Sequence, residues 1–406
     1  MAALDLGFRE ARADVIFYDK DGWSVWTNGR MAAHLQYIAG EGAPRTTNTL
    51  FGQSNAAATD ENNSIRRARI GSGWVGTQLG MGIGNQLTET VKAKAYFAVS
   101  LSDITNNKDK TQAKGVDYRE AFASFEGGFG SVSFGRSLSI FGSGLASSIY
   151  MYSYGNGAGH PCDIDGIAIT CGPVGAGGIF PGFNAQVQYS TPNMRGFGMK
   201  VSVIDPSLLP GYTLRPLPRV EGEATYDLLM GNAGKLTLIG QGLWQTMGRL
   251  TGASTDPAAA PGTGTESTDA FGGIAAARLE LGGFRLGGGY WGGKGLGTGV
   301  PLQGDQAVDS TGQLRSYTGF MAHALFIFGN TDIGAGVGRS NVEETANDKL
   351  NITQSLIASN TAFHAVAYRH IGALVLGAEF MHWISEWHRG EEQAINFMGL
   401  SANFLW

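Results

Sequence analysis

No stretch of this 406-residue chain approaches 18 uninterrupted apolar residues, so it contains no candidate for a membrane-spanning helix. Charge is also scarce. Asp, Glu, Lys and Arg together make 16% of the chain, against roughly 25% in soluble domains. The formal net charge of −5 argues against a nucleic-acid partner. Cysteine is nearly missing, with only Cys162 and Cys171. No composition shift reads as an inter-domain linker, and no repeat recurs at the period of a propeller blade. One unit over 23–406 is therefore expected, preceded by a separate segment at 1–22. The first ten residues lack the basic start and apolar core of an export signal, so an exported protein would be represented here in its mature form.

What the chain does have is glycine, with 63 residues, about twice the usual share, and long runs of period-two alternation. Strands are read where that alternation is bounded by Gly, Asn, Asp or Pro. In 23–39, Val25, Thr27, Gly29, Met31, Ala33, Leu35 and Tyr37 share one face. Ser24, Trp26, Asn28, Arg30, Ala32, His34 and Gln36 share the other. In 90–100, Ala93, Ala95, Phe97 and Val99 alternate with Lys92, Lys94, Tyr96 and Ala98. In 219–229, Arg219, Glu221, Glu223, Thr225 and Asp227 stand opposite Val220, Gly222, Ala224, Tyr226 and Leu228. Such charges in a dry core would cost several kcal/mol each, so that face is expected to meet water. The last strand runs to the final residue, with Met398, Leu400, Ala402, Phe404 and Trp406 on one face. It is expected to close against 23–39. A mean hydropathy of −0.07 fits strands whose two faces cancel.

The connections alternate between short and long. Tight turns are expected at 82–86, 127–130, 193–196, 231–234, 282–283, 329–330 and 369–372. Between them lie longer polar stretches at 40–63, 103–117, 138–183, 205–218, 248–268, 292–315 and 341–360, with a shorter one near 387–392. Short turns on one side and long loops on the other are the rhythm of a transmembrane antiparallel β-barrel. The count gives an all-β chain of about sixteen strands.

Three motifs sharpen this architecture: Arg69-Ile70-Gly71, the run from Gly130 to Arg136, and the terminal Asn403-Phe404-Leu405-Trp406. Together they resemble the general trimeric porins of Gram-negative bacteria. In those proteins the second strand carries an Arg-aliphatic-Gly motif and a Gly-Arg pair leads into the third loop. The resemblance implies a cell outer-membrane location, a homotrimer, and contact with outer-membrane lipid and lipopolysaccharide. It also implies passive diffusion of small hydrophilic solutes and ions, with no enzyme chemistry, cofactor or metal. A channel specific for a sugar or an anion is the alternative. The third long loop, 138–183, is implied to fold into the pore. It departs from the family in lacking a Pro-Glu-Phe-Gly-Gly stretch, whose place Phe141-Gly142-Ser143-Gly144 takes.

The expected pore-lining and constriction residues are basic on the early strands: Arg30, Arg67, Arg69, Lys92, Lys94 and Arg136. By resemblance, Arg69 and Arg136 match constriction arginines. Asp163 and Asp165 are acidic candidates on the facing loop, and Glu221 and Glu223 lie on a wet strand face. Opposed charges of this kind set a transverse field across a pore. In an exported protein Cys162 and Cys171 are expected to be oxidised to a disulfide closing a small loop, the alternative being two thiols. The intervening Asp163-Ile164-Asp165-Gly166 lacks the full calcium-loop pattern. Tyr150, Tyr152 and Tyr154 alternate in the same loop, either as a stacking track or as braces. Small outward residues (Gly29, Ala33, Ala93 and Ala95) suit either a contact between barrels or lipid.

Overall fold

The computed structural model describes residues 14–42, 64–71, 77–101, 116–148, 172–209, 211–214, 216–251, 264–302, 307–350 and 356–406. These residues form one sheet of nineteen strands rolled into a closed antiparallel barrel. In chain order the strands are β1 (Val15–Lys20), β2 (Trp23–Gly42), β3 (Ser64–Gly71), β4 (Thr77–Gln86), β5 (Lys92–Leu101), β6 (Val116–Gly127) and β7 (Gly130–Leu138). Next come β8 (Phe183–Ser190), β9 (Phe197–Ile204), β10 (Tyr212–Leu214), β11 (Arg219–Leu229), β12 (Lys235–Thr251) and β13 (Gly264–Leu281). The last six are β14 (Phe284–Lys294), β15 (Ser316–Phe328), β16 (Thr331–Glu343), β17 (Ile357–Ile371), β18 (Leu374–Trp387) and β19 (Glu392–Leu405). Two short helices lie in loops, α1 (Ser143–Ser148) and α2 (Ala346–Leu350).

Nineteen strands fill sixteen wall positions, because three positions are shared. β3 and β4 both pair along the same edge of β2. Along that edge β2 advances four residues, from Arg30 to His34, while its partner advances seven, from Gly71 to Gln78. The odd excess resets the alternation, so that Leu79 faces out although it shares the parity of Arg69. β10 and β11 both pair with β12, end to end. β19 pairs with β2 from Gly42 to Arg30, and β1 takes over from Thr27 to Trp23, running in the same direction. The closing position is thus completed by two segments. Trp406 meets β2 at Gly29 through a reciprocal pair of backbone bonds of 2.8 and 3.1 Å. Asn28 Nδ2 donates to Asp14 Oδ1 at 2.9 Å on the β1 side. β1 falls inside the stretch expected to precede the barrel. Its Val15-Ile16-Phe17-Tyr18 run is exposed on both faces and carries no alternation to read.

The short turns fall at the expected places with two shifts. The first lies at 87–91, because 82–86 continues β4, and the last centres on Gly372 and Ala373. Gly329 and Gly372 each open a two-residue turn at φ 55° and 57°, the left-handed region that favours glycine.

Along each wall strand, exposed apolar side chains alternate with buried or polar ones. On β19 Met398, Leu400 and Phe404 are exposed while Ser401, Asn403 and Leu405 are buried. Phe404 and Trp406 share the outward face, with ring centroids 6.3 Å apart. Facing inward, large rings lean on glycines paired to them across the strand boundary. Trp26 pairs with Gly82 and Trp291 with Gly319. A Cβ on Gly319 would lie 2.5 Å from Trp291 Nε1, so this ring has its place only because its partner lacks a side chain. The buried apolar cluster sits inside the barrel, on the inner face of β12 to β19. It is completed by Phe141 and Leu145 of the third loop and by Leu296, Leu302 and Val308 of the sixth.

Candidate functional site: the lumen and its third loop

The third loop leaves β7 and enters the barrel. Its first stretch lies against β11 and β12 through backbone groups. Phe141 N donates to Glu221 Oε2 at 2.8 Å, and Gly142 N donates to Gln241 Oε1 at 3.0 Å. Gln241 Nε2 in turn donates to Ile140 O at 2.7 Å and to Glu223 Oε2 at 2.6 Å. The acids that make this seat are themselves paired. Arg219 forms a buried ion pair with Glu221, its Nε 2.8 Å from Oε1, and Lys200 Nζ lies 2.6 Å from Glu223. α1 then packs beside β12, β13 and β14, with Leu145 over Gly289.

The returning stretch, 172–182, reaches the far wall. Gly177 N donates to Ser340 Oγ on β16 at 2.7 Å, and Trp291 Nε1 donates to Gly177 O at 2.9 Å. Asn360 Nδ2 donates to Gly175 O at 3.3 Å. Asn360 is held by Ser385 at 2.8 Å, and Ser385 by Trp383 Nε1 at 2.9 Å. Ala176 packs into a second apolar cluster with Ile38, Met381, Trp383 and Phe397. From its roots at β7 and β8 the loop therefore reaches β16 and β17, roughly the diameter of a sixteen-stranded barrel away.

The sixth and seventh loops meet at the outer mouth over the same half of the barrel. Asp309, 1% exposed, accepts bonds from Thr311 N, Thr311 Oγ1 and Gln313 N, each at 2.8 Å, and from Thr345 Oγ1 at 2.6 Å. Arg315 binds both oxygens of Asp348 in α2 at 2.8 Å. Burial would raise the Asp348 carboxyl above the ordinary carboxylate range, but the Arg315 hydrogen bond and charge outweigh it and hold it below. Tyr212 bonds to Gly312 O, and burial pushes its hydroxyl up to about 12.

What remains open is bounded by the inner faces of β4 to β9 and carries both signs of charge among neutral-polar groups, with Glu120 and Glu126 of β6 on the same inner rows as Lys92 and Lys94. The inner row of β2, from Arg30 to Ile38, is buried. Arg30 lies on the inner row of β2, bonded to Gln78 Oε1 at 3.2 Å. The backbones of Arg67 and Arg69 pair with Ile38 and Gln36, which occupy that inner row; their side chains lie outside the described part. Lys92 and Lys94 come next on β5, with Lys94 2.7 Å from Glu126. Farther round, Ser133, Ser137, Gln186, Gln188 and Ser202 make an uncharged hydrogen-bonding wall.

Three expectations need correction or fall outside the described residues. Glu221 and Glu223 do face inward, but they are 0% and 6% exposed under the third loop and seat it, where the strand face was expected to meet water. Arg136 does not face the lumen. It shares the outward row of Phe134 and pairs with the exposed Ala121 and Ala185, while its Nε donates to Tyr118 O at 2.8 Å. The physical reason is parity. Ser137, next along, bonds Gln186 inside, so Gly135 and Ser137 take the inner positions. Val132 and Phe134 carried that signal in the sequence. Asp163, Asp165, Cys162, Cys171 and the tyrosines 150, 152 and 154 lie outside the described residues. Sequence reasoning missed Gln241, Trp291, Ser340 and Asn360, all uncharged residues whose inward parity was legible and whose partners, loop backbone atoms, were not.

This geometry, a sixteen-position barrel narrowed from within by its third loop, has known counterparts. A family model described as Gram-negative porin matches residues 10–210. The outer-membrane channel DcaP of Acinetobacter baumannii superposes with a TM-score of 0.68 at 13% identity, covering 97% of this chain and 100% of that one. An anion-selective porin from Comamonas acidovorans gives 0.60 at 16% identity, with 94% and 100% covered. OmpF of Salmonella typhi, in complex with daunomycin, gives 0.55 at 11%, with 96% and 100% covered. No curated protein matches by sequence. Family match and fold agree on one class, that of the Gram-negative porins: their family model matches residues 10–210, and their barrel fold extends over nearly the whole chain. The chain is a β-barrel of the bacterial outer membrane that forms a channel for diffusion.

Proposed function

We propose that the channel is a homotrimeric, non-enzymatic diffusion pore whose free lumen along β4 to β9 passes small hydrophilic solutes and favours anions over cations. One observation carries the reading. The third loop fills the β11 to β17 side with paired acids and apolar contacts, which leaves Lys92, and Lys94 paired to Glu126, among serine and glutamine on the open side. Glu221 and Glu223 are matched by Arg219 and Lys200, so those acids add little to the field that a passing ion meets. The arginines at 67 and 69 would add to the basic wall, and Asp163 and Asp165 would oppose it. The structural likeness to an anion-selective porin supports the same direction. The outward faces of β2 and β5, with Ala33, Ala93 and Ala95, suit close approach of neighbouring barrels, whereas Gly29 lies under the Trp406 indole. The remaining outward faces meet lipid and lipopolysaccharide. Planar-bilayer recording across a KCl gradient tests this: a reversal potential of the anion-selective sign and insertion in steps of three are expected. Cation selectivity, or single steps from well-folded protein, would refute the two halves of the proposal separately.

A further inference from the structure

Deep in the filled half of the barrel two imidazoles stack. His323 on β15 and His364 on β17 have ring centroids 5.3 Å apart and planes tilted by 21°. Both are buried, 2% and 4% exposed. In the register both pair with the same residue, Gly336 of β16. A Cβ there would lie 2.6 Å from His364 Nε2, and a Cβ on Gly334 would lie 3.0 Å from His323 Cε1. The rings thus rest on the glycine row of the strand between them. The next member of that row, Gly338, lies under Ala176 of the returning third loop, and Ser340 beyond it holds Gly177. Neither ring nitrogen of His364 has a hydrogen-bond partner among the described residues.

We propose that His323 and His364 form a proton-binding site that unseats the third loop from β16 when it is occupied. Two imidazoles stacked face on face, without a third ligating side chain among the described residues, suit a proton switch better than a chelated metal. A second positive ring 5.3 Å from the first in a dry interior is strongly opposed, and even a single imidazolium there lacks water. The surroundings offer little relief. β14 presents Gly287 opposite His323, and α1 carries no titratable side chain. β18 presents Met381 opposite His364; the next inner residue, Glu379, already accepts the Tyr368 hydroxyl at 2.8 Å. Farther along the strands, Asp332 is engaged with His370, and Arg285 with Glu280. Charging the pair therefore lifts the rings from the glycine row that the loop shares. Seating is complete while both rings are neutral and is lost as acid charges them.

The test is single-channel recording of the full chain between pH 7 and pH 3, compared with the His323→Phe/His364→Phe double variant. The phenyl rings keep the stack and cannot take a proton. In the wild type, loop-opening events should rise by up to about tenfold per pH unit below the midpoint of an unstacked ring and level off once the stacked ring itself titrates, and the double variant should lose that rise. An equal rise in the double variant overturns the proposal. Should the variant not fold, imidazole NMR of the wild-type protein in detergent decides. Two coupled resonances with separated midpoints are expected. Independent titration of these two residues at a shared midpoint overturns the proposal.

Discussion

Removing one charge without changing shape tests the seat of the third loop. Glu221→Gln keeps the volume but replaces a carboxylate that accepts Phe141 N at 2.8 Å and pairs with a guanidinium only 1% exposed. A hydrogen bond to a charged group contributes about 1.5–3 kcal/mol, and breaking a buried ion pair by removing one partner costs about 3–5 kcal/mol. Among the described residues Arg219 then keeps only a long 3.4 Å contact with Ser207, so little else there compensates it. Suppose about 3 kcal/mol of the loss falls on the seated state. At about 1.4 kcal/mol per decade, the ratio of seated to unseated loop then drops by roughly two orders of magnitude. The far anchor at Gly177 remains, so partial detachment of 139–145 is expected in place of a wide-open barrel. The readout is open-channel noise and brief high-conductance substates in planar bilayers. Thr225→Val, on the same inner row but away from the loop, serves as control. A Glu221→Gln channel as quiet and as conductive as wild type would refute the assignment of this buried acid as the loop's seat.

Other expected outcomes rest on single contacts. Trp291→Phe removes the 2.9 Å bond to Gly177 O while keeping an aromatic ring over Gly319. It should cost about 1–2 kcal/mol and add noise at the far anchor, with the two anchors' effects in the double variant exceeding their sum. The depressed Asp348 carboxyl contributes stability above its unfolded value near about 3.9 and loses it as pH falls through the lower folded value. The protection factors of the α2 amides against hydrogen exchange, relative to the intrinsic rate at each pH, should therefore be unchanged from pH 8 to about pH 5 and fall only in strong acid; Arg315→Ala should abolish that protection at every pH. Deleting Trp406 removes both backbone bonds to Gly29 and should sharply lower the yield of folded, heat-modifiable barrel on a gel. A normal yield would show that β19 up to Leu405, continued by β1, closes the wall without the terminal residue.

The barrel was legible in the chain because a two-sided environment writes itself as period two. The inner and outer rows of β2, β5, β11 and β19 obey that alternation residue by residue, and so does the pairing of the last strand with β2. Two kinds of information were not legible. The first was overridden parity. Arg136 was placed in the lumen on a motif although Val132 and Phe134 already set its row facing out. β1 was missed because its apolar run shows no alternation. The second was the seat of the third loop. Here wall side chains recognise backbone atoms (Phe141 N, Gly142 N, Gly175 O and Gly177 N), and backbone atoms are the same in every sequence. Glu221 and Glu223 looked like wet wall residues because a buried ion pair and a solvated one have the same composition. Arg219 sits two residues from Glu221 on the same face, as the alternation already implied, but only the third dimension brings Lys200 and the loop to them.

The third loop also has a mechanical consequence. A barrel wall is a thin shell, and squeezing it from the side flattens its cross-section without breaking a single strand-to-strand bond. This shell is tied internally. One chain segment is continuous with β7 and β8, fastened to β11 and β12 at its near end, and fastened to β16 and β17 at its far end. It works as a tie-beam across the diameter, so lateral pressure from the bilayer meets resistance along that axis and finds compliance mainly at right angles to it. Cutting either fastening should soften the shell as well as widen the passage, and the permeability of such a variant should respond to membrane tension where that of the intact protein does not.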